Sequence, residues 1–163
     1  MTHKTFLTRN DLATDKRAAG SIRILNDQLI DLIDLHSQTK YAHWNVKGSH
    51  FIGLHKLFDE LAEKLEEAID AVAERATALG GQVFGTVRQA AAQSRVPEFP
   101  SDVFEGMAVV AALADNYAVV AKASRAAIDE ADTLGDADTA DLLTDYSREL
   151  DQSLWFLEAH LQK

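Results

Sequence analysis

The chain has 163 residues and a mass of 17.9 kDa, and 47% of its residues are hydrophobic, enough for one domain with a real core. It contains no cysteine, which excludes disulfides, thiolate zinc sites, iron–sulfur clusters and cysteine nucleophiles, so any metal must be held by His, Asp and Glu, a set that suits iron, manganese or zinc. Twenty-six acidic residues against 16 basic ones give a net charge of −10, which repels a nucleic-acid backbone unless the cations are segregated.

The opening stretch, MTHKTFLTRNDLATDKR, has no apolar core of the kind a signal peptide needs and is expected to form a flexible tail over residues 1–17 of a single domain. No stretch approaches about 20 consecutive apolar residues, so a cytoplasmic protein with no membrane span is expected. From Ser21 to about Val46, Ile22, Leu25, Leu29, Leu32 and Leu35 recur at helical spacing until Gly48 stops the helix. A second helix is predicted from Ser49 or His50 to Leu79, ended by the Gly80–Gly81 pair. The segment from 82 to 100 is irregular, with one short helix around Val87 to Gln93. Ser101–Asp102 then reads as an N-cap for a third helix reaching about Ala131, and a fourth follows the turn DTLGDAD to the C-terminus. Helices of roughly 40 Å pack naturally as a four-helix bundle, and the long second connection can cross its length, as in ferritin-like topologies. The predicted fold is all-α.

The chemistry concentrates in AHWNVKGSHFIGLHKLFDE, residues 42 to 60. On the second helix His55 and Asp59 are four apart, as are Asp70 and Glu74, and all four fall within a stripe of roughly 100°. Yet Asp59 and Asp70 are separated by about 16 Å of helix rise, too far for one metal ion with ligands at about 2 Å. Two copies of this helix meeting antiparallel about a two-fold axis near residues 64 and 65 would resolve the conflict. His55 and Asp59 of one chain would then face Asp70 and Glu74 of the other, twice per dimer, and His43 could join across the short turn. An ordinary intrachain di-iron centre needs Glu-x-x-His, and no histidine here has Glu three residues before it.

This stretch, followed by DAVAERATALGG and closing with TADLLTDYSRELDQSLWFLEAHL, closely resembles the Dps family, the mini-ferritins, over nearly the whole chain from about residue 20. The spacing His-x11-His-x3-Asp-x10-Asp-x3-Glu is intact. The resemblance implies a ferroxidase: His43, His55 and Asp59 from one subunit, with Asp70 and Glu74 from its two-fold mate, form a shared di-iron centre. It also implies a hollow dodecamer that oxidises Fe(II), preferentially with hydrogen peroxide, stores ferric mineral and so protects DNA from oxidative damage. Trp44 and Tyr41 flank the site as candidate sacrificial electron donors.

Residues 129 to 145 hold seven acids and no Lys or Arg. The plain reading is a solvated turn with an Asp N-cap. In a cage, copies of this turn would make a negative funnel for Fe(II), with Glu130, Asp138 and Asp141 as the candidate pore residues. His36 reads as an interface or core histidine, His50 as part of a turn, and His3 and His160 as frayed-end residues. Some family members gather DNA with a lysine-rich tail. Here Lys4, Arg9, Lys16 and Arg17 stand against Asp11 and Asp15, so weak or absent DNA binding is expected. The rival readings are a DNA-compacting nucleoid protein in which iron oxidation is secondary, and a bundle interaction protein without metal.

Overall fold

The leucine and isoleucine spacing of the first long segment folds as α1, Lys16–Asn45, in a computed structural model that describes residues 4–14 and 16–162. The helix starts five residues before the expected Ser21 because Ala18 is already packed into the core one turn earlier. Four more helices follow: α2, Phe51–Ala78; α3, Val87–Gln93; α4, Gly106–Thr133; and α5, Ala137–Leu161. No strand occurs among the described residues, and the all-α expectation stands. The short α3 matches its predicted span, fixed by a reciprocal capping box between Thr86 and Gln89.

One boundary is corrected. The N-cap of α4 is Glu105, whose carboxylate accepts from the Ala108 N–H, and Ser101–Asp102 stay in the connection. The reason lies in the neighbouring turn: Lys47 N–H donates to the Phe104 carbonyl at 2.8 Å and Gly106 N–H to the Lys47 carbonyl at 3.1 Å. That bridge holds Glu105 extended against the turn after α1, so the helix begins only at Gly106.

The α1/α2 and α4/α5 hairpins close a four-sided bundle in which α1 lies against α4 and α2 against α5. Leu25, Leu32 and Leu35 of α1, Leu54, Phe58 and Leu61 of α2, Leu113 and Tyr117 of α4, and Leu143 and Leu157 of α5 are fully buried at its centre. Each buried side chain of this size contributes about 1.5–3 kcal/mol. By length and mean composition α4 reaches the size of a membrane span, but Asp115 and Asn116 interrupt its apolar residues, and Val109, Val110, Leu113, Tyr117 and Val120 face the bundle interior. Alanine and valine between these core positions raise its hydropathy.

The connection from 80 to 105 climbs α1 from one end of the bundle to the other, each tie higher than the last. Asn26 accepts from Phe84 N–H and donates to the Gln82 carbonyl; buried Asp31 takes two hydrogen bonds from Arg95. Gln38 donates to the Pro97 carbonyl and the Tyr41 hydroxyl to the Ser101 carbonyl. This is the long crossover anticipated for a ferritin-like bundle.

Of the expected tail, residues 1–3 and 15 and the side chains of Ala13, Thr14, Lys16 and Arg17 lie outside the described residues. In the described part, Phe6 N–H donates to the Gly80 carbonyl at 2.8 Å, and a single 3-10 turn spans Asp11–Thr14.

Candidate metal centre

The α1–α2 turn builds one end of the site. Val46, fully buried, anchors it, and Gly48 at φ +110° supplies the left-handed step that turns the chain back. His43, two residues before the end of α1, and His55, in the second turn of α2, are thereby stacked ring on ring at 3.8 Å and 18°.

Each imidazole is fixed by the other's backbone. His43 Nδ1 lies 2.7 Å from the His55 carbonyl oxygen, and His55 Nδ1 lies 2.8 Å from that of His43. A carbonyl oxygen only accepts, so both Nδ1 atoms carry a proton, and it is Nε2 of each ring that is placed to offer a lone pair to a metal. Metal-ligating histidines are held in this way, with the other ring N–H given to a carbonyl or carboxylate. Asp59 lies beside this pair, its Oδ1 3.9 Å from His43 Nε2.

Sequence reasoning missed Lys40. Its Nζ lies 2.5 Å from Asp59 Oδ1, and this hydrogen bond, helped by the two imidazoles, holds the Asp59 carboxyl below the usual carboxylate range. Lys40 precedes His43 by three residues on the same helical face, so the signal was present as an i, i+3 spacing. Next along this seam comes His36, its pKa lowered by burial, which the nearby Glu66 partly offsets and Lys40 reinforces. His36 is half-buried on α1.

Asp70 and Glu74 sit exposed, three and four turns further along α2 from Asp59. Among the described residues, no three His, Asp or Glu side chains converge closely enough to hold a metal ion. A single chain thus gathers two imidazoles and one carboxylate at one end of α2 and leaves two carboxylates at the other.

The far end of α2 is rigidly placed. Arg75, beside Glu74, donates to Asp136 at 2.8 Å and to the Thr139 hydroxyl at 3.0 Å. Asp136, the N-cap of α5, is completely buried, and it also accepts from the N–H and hydroxyl of Thr139. Burial alone would raise its pKa; the neighbouring hydroxyls, the Thr139 N–H and Arg75 outweigh it and hold the carboxyl low. The Ser21 hydroxyl contributes from close by without a hydrogen bond of good geometry.

The ferritin-like domain model matches residues 22–163. The DNA protection during starvation protein of Agrobacterium fabrum is 42% identical over 160 residues, spanning 98% of each chain. The chain belongs to the Dps family of ferritin-like proteins. DpsC from Streptomyces coelicolor superposes with a TM-score of 0.92 at 30% identity, covering 100% of this chain and 95% of that one. A Dps protein from Vibrio cholerae O1, described as a member of a broad superfamily of ferritin-like diiron-carboxylate proteins, gives 0.84 at 27% identity, covering 90% and 91%.

On this Dps fold the remaining candidates occupy distinct places. Tyr41 is committed to the crossover, its hydroxyl on the Ser101 carbonyl and its ring edge-on to Phe99 at 5.7 Å. Trp44, next to His43, is 64% exposed at the bundle end. In the acidic segment, Glu130 is paired with Arg23, whereas Asp138 is 82% exposed with only a long 3.8 Å approach to Arg75. Asp141 is exposed one turn along α5. The seven acids are therefore not equivalent: Asp136 caps a helix, Glu130 and Asp145 are paired with arginines, and Asp129, Asp132, Asp138 and Asp141 are exposed.

Proposed function

We propose that this chain is the half-site subunit of a ferroxidase cage. His43, His55 and Asp59 of one subunit, completed by Asp70 and Glu74 of its two-fold mate, would bind a pair of Fe(II) ions. The observation that carries this reading is the pair of stacked imidazoles, locked with both Nε2 lone pairs free beside Asp59 while the completing carboxylates lie on the same face of α2 beyond reach. Three carboxylates and two imidazoles make an O/N-rich set suited to iron, with hard oxygens favouring the ferric product.

Iron is the substrate here and leaves as mineral. Two Fe(II) ions each lose one electron; hydrogen peroxide takes both, its O–O bond breaks, and two protons complete two waters. No one-electron oxygen product is released. Before Fe(II) arrives, Lys40 occupies Asp59 as a stand-in cation, keeping the carboxylate ionised and placed. Asp138 and Asp141, with Glu130, would draw Fe(II) toward a pore, and Trp44 and Tyr41 are available as electron donors near the centre. We assign the assembly as a hollow dodecamer of two-fold dimers in the cytoplasm, storing ferric mineral and sparing DNA from peroxide. With a net charge of −10 and few cations near the N-terminus, DNA binding is expected to be weak or absent at physiological salt.

Fe(II) oxidation by oxygen and by peroxide, followed together with size-exclusion mass, tests this reading. Activity confined to the assembled protein and faster with peroxide is expected. A monomer oxidising iron at the full rate would overturn the shared centre, and tight gel retardation of DNA at physiological salt would overturn the DNA assignment.

A further inference from the structure

Two histidines that the ferroxidase centre does not use are brought together by the closure of the bundle. The α1–α2 turn and the last turn of α5 meet at the same end, and His50 and His160 line one surface pocket of about 270 Å3 with Ser49, Ile52, Gly53 and Leu54. His50 occupies the N-cap of α2, yet its side chain makes no capping hydrogen bond, which leaves the imidazole uncommitted. His160 Nδ1 lies 2.7 Å from the Phe156 carbonyl oxygen, an acceptor only, so Nδ1 carries the proton and Nε2 presents its lone pair. That is the arrangement found at His43 and His55, and the one in which protein imidazoles are commonly held for metal binding.

We propose that His50 and His160 form a second metal site, taking a divalent late first-row ion, zinc or copper, outside the ferroxidase centre. The chemistry of the pocket selects the ion. Two imidazoles with no carboxylate in the lining suit zinc, copper and nickel, and are poor ligands for magnesium, calcium or ferric iron. Both rings are exposed, so the ion keeps water in its remaining positions and no bare charge is buried. The Ser49 hydroxyl lines the same pocket and can hydrogen-bond such a water. Nothing in the pocket supplies the oxygen-rich set that favours oxidised iron, so the site binds its ion without turning it over. It gives zinc or copper a place other than the imidazoles of the ferroxidase centre.

Equilibrium dialysis of the assembled protein against zinc chloride tests the site, using wild type, His50→Ala and His160→Ala, with Fe(II) oxidation measured on the same samples. Each variant should bind one zinc fewer per subunit than wild type while its Fe(II) oxidation rate is unchanged. Wild-type zinc stoichiometry in either variant would overturn the paired site, since one histidine would then suffice. Loss of zinc together with loss of Fe(II) oxidation in both would also overturn it, by placing the pocket within the ferroxidase centre. Wild-type Fe(II) oxidation, read independently, reports whether the proposed function holds.

Discussion

A subunit carrying His55→Ala and Asp59→Ala, and another carrying Asp70→Ala and Glu74→Ala, should each be inactive in Fe(II) oxidation alone. Mixed, dissociated and reassembled, they should recover activity. All four side chains are exposed or half-exposed, so truncation removes ligands without opening the core. In a mixed two-fold pair, one centre carries all four lesions, and the other combines the intact His55 and Asp59 of one chain with the intact Asp70 and Glu74 of its mate. Random reassembly of an equal mixture makes half the pairs mixed, each with one working centre of two, so about a quarter of the wild-type rate per subunit should return. The assay is the initial rise of ferric absorbance after peroxide addition, with mass spectrometry of the assembled species confirming mixed pairs. Mixed pairs that form and stay inactive would refute the shared centre. So would either variant alone keeping more than a trace of activity.

Arg75→Met should destabilise the protein by about 3 kcal/mol, the lower end for breaking a buried pair, because Asp136 keeps its Thr139 partners. Urea unfolding at fixed protein concentration measures it, and a loss below about 1 kcal/mol would contradict the role given to the pair. The pH dependence has a fixed sign. Asp136 is held low in the folded state, so its stabilisation is present above the ordinary carboxyl value of about 3.9 and is lost as pH falls through the lower folded value. Arg75→Met should therefore unfold at a higher pH than wild type in an acid titration. Lys40→Gln removes the cation competing for Asp59 and should tighten Co(II) binding, by less than about tenfold for so solvent-screened a pair; weaker binding in a spectroscopic titration would reverse the assignment. Gly80→Ala places a Cβ 2.7 Å from the Phe6 carbonyl at φ +80°, and a cost of about 2 kcal/mol should appear as a melting temperature lower by several degrees.

Helix spacing carried most of the fold because it is local. The leucines of α1 and the Gly80–Gly81 stop are readable one turn at a time, and α3 announces itself through Thr86 and Gln89. The start of α4 was not readable in that way. Ser101–Asp102 is a plausible cap taken alone, and what delays the helix to Gly106 is a backbone bridge to Lys47, some 60 residues earlier in the chain. At the candidate metal centre, the grouping of His43, His55 and Asp59 was readable from spacing, whereas Lys40 was passed over because a search for ligands ignores cations. His50 and His160 could not be paired from sequence at all: only the end-to-end closure of the bundle makes neighbours of residues so far apart.

The crossed imidazole–carbonyl contacts between α1 and α2 also limit how this turn can change through evolution. Surface connections usually tolerate added residues at little thermodynamic cost. Between Asn45 and Phe51, one inserted residue would rotate His55 by about 100° around α2 and carry its ring off His43. Both Nδ1 contacts would fail together, and the rings would lose the proton placement that leaves Nε2 open. The five residues from 46 to 50 are therefore held to their number by the tautomer of two histidines, a constraint on chain length written in the position of two hydrogen atoms.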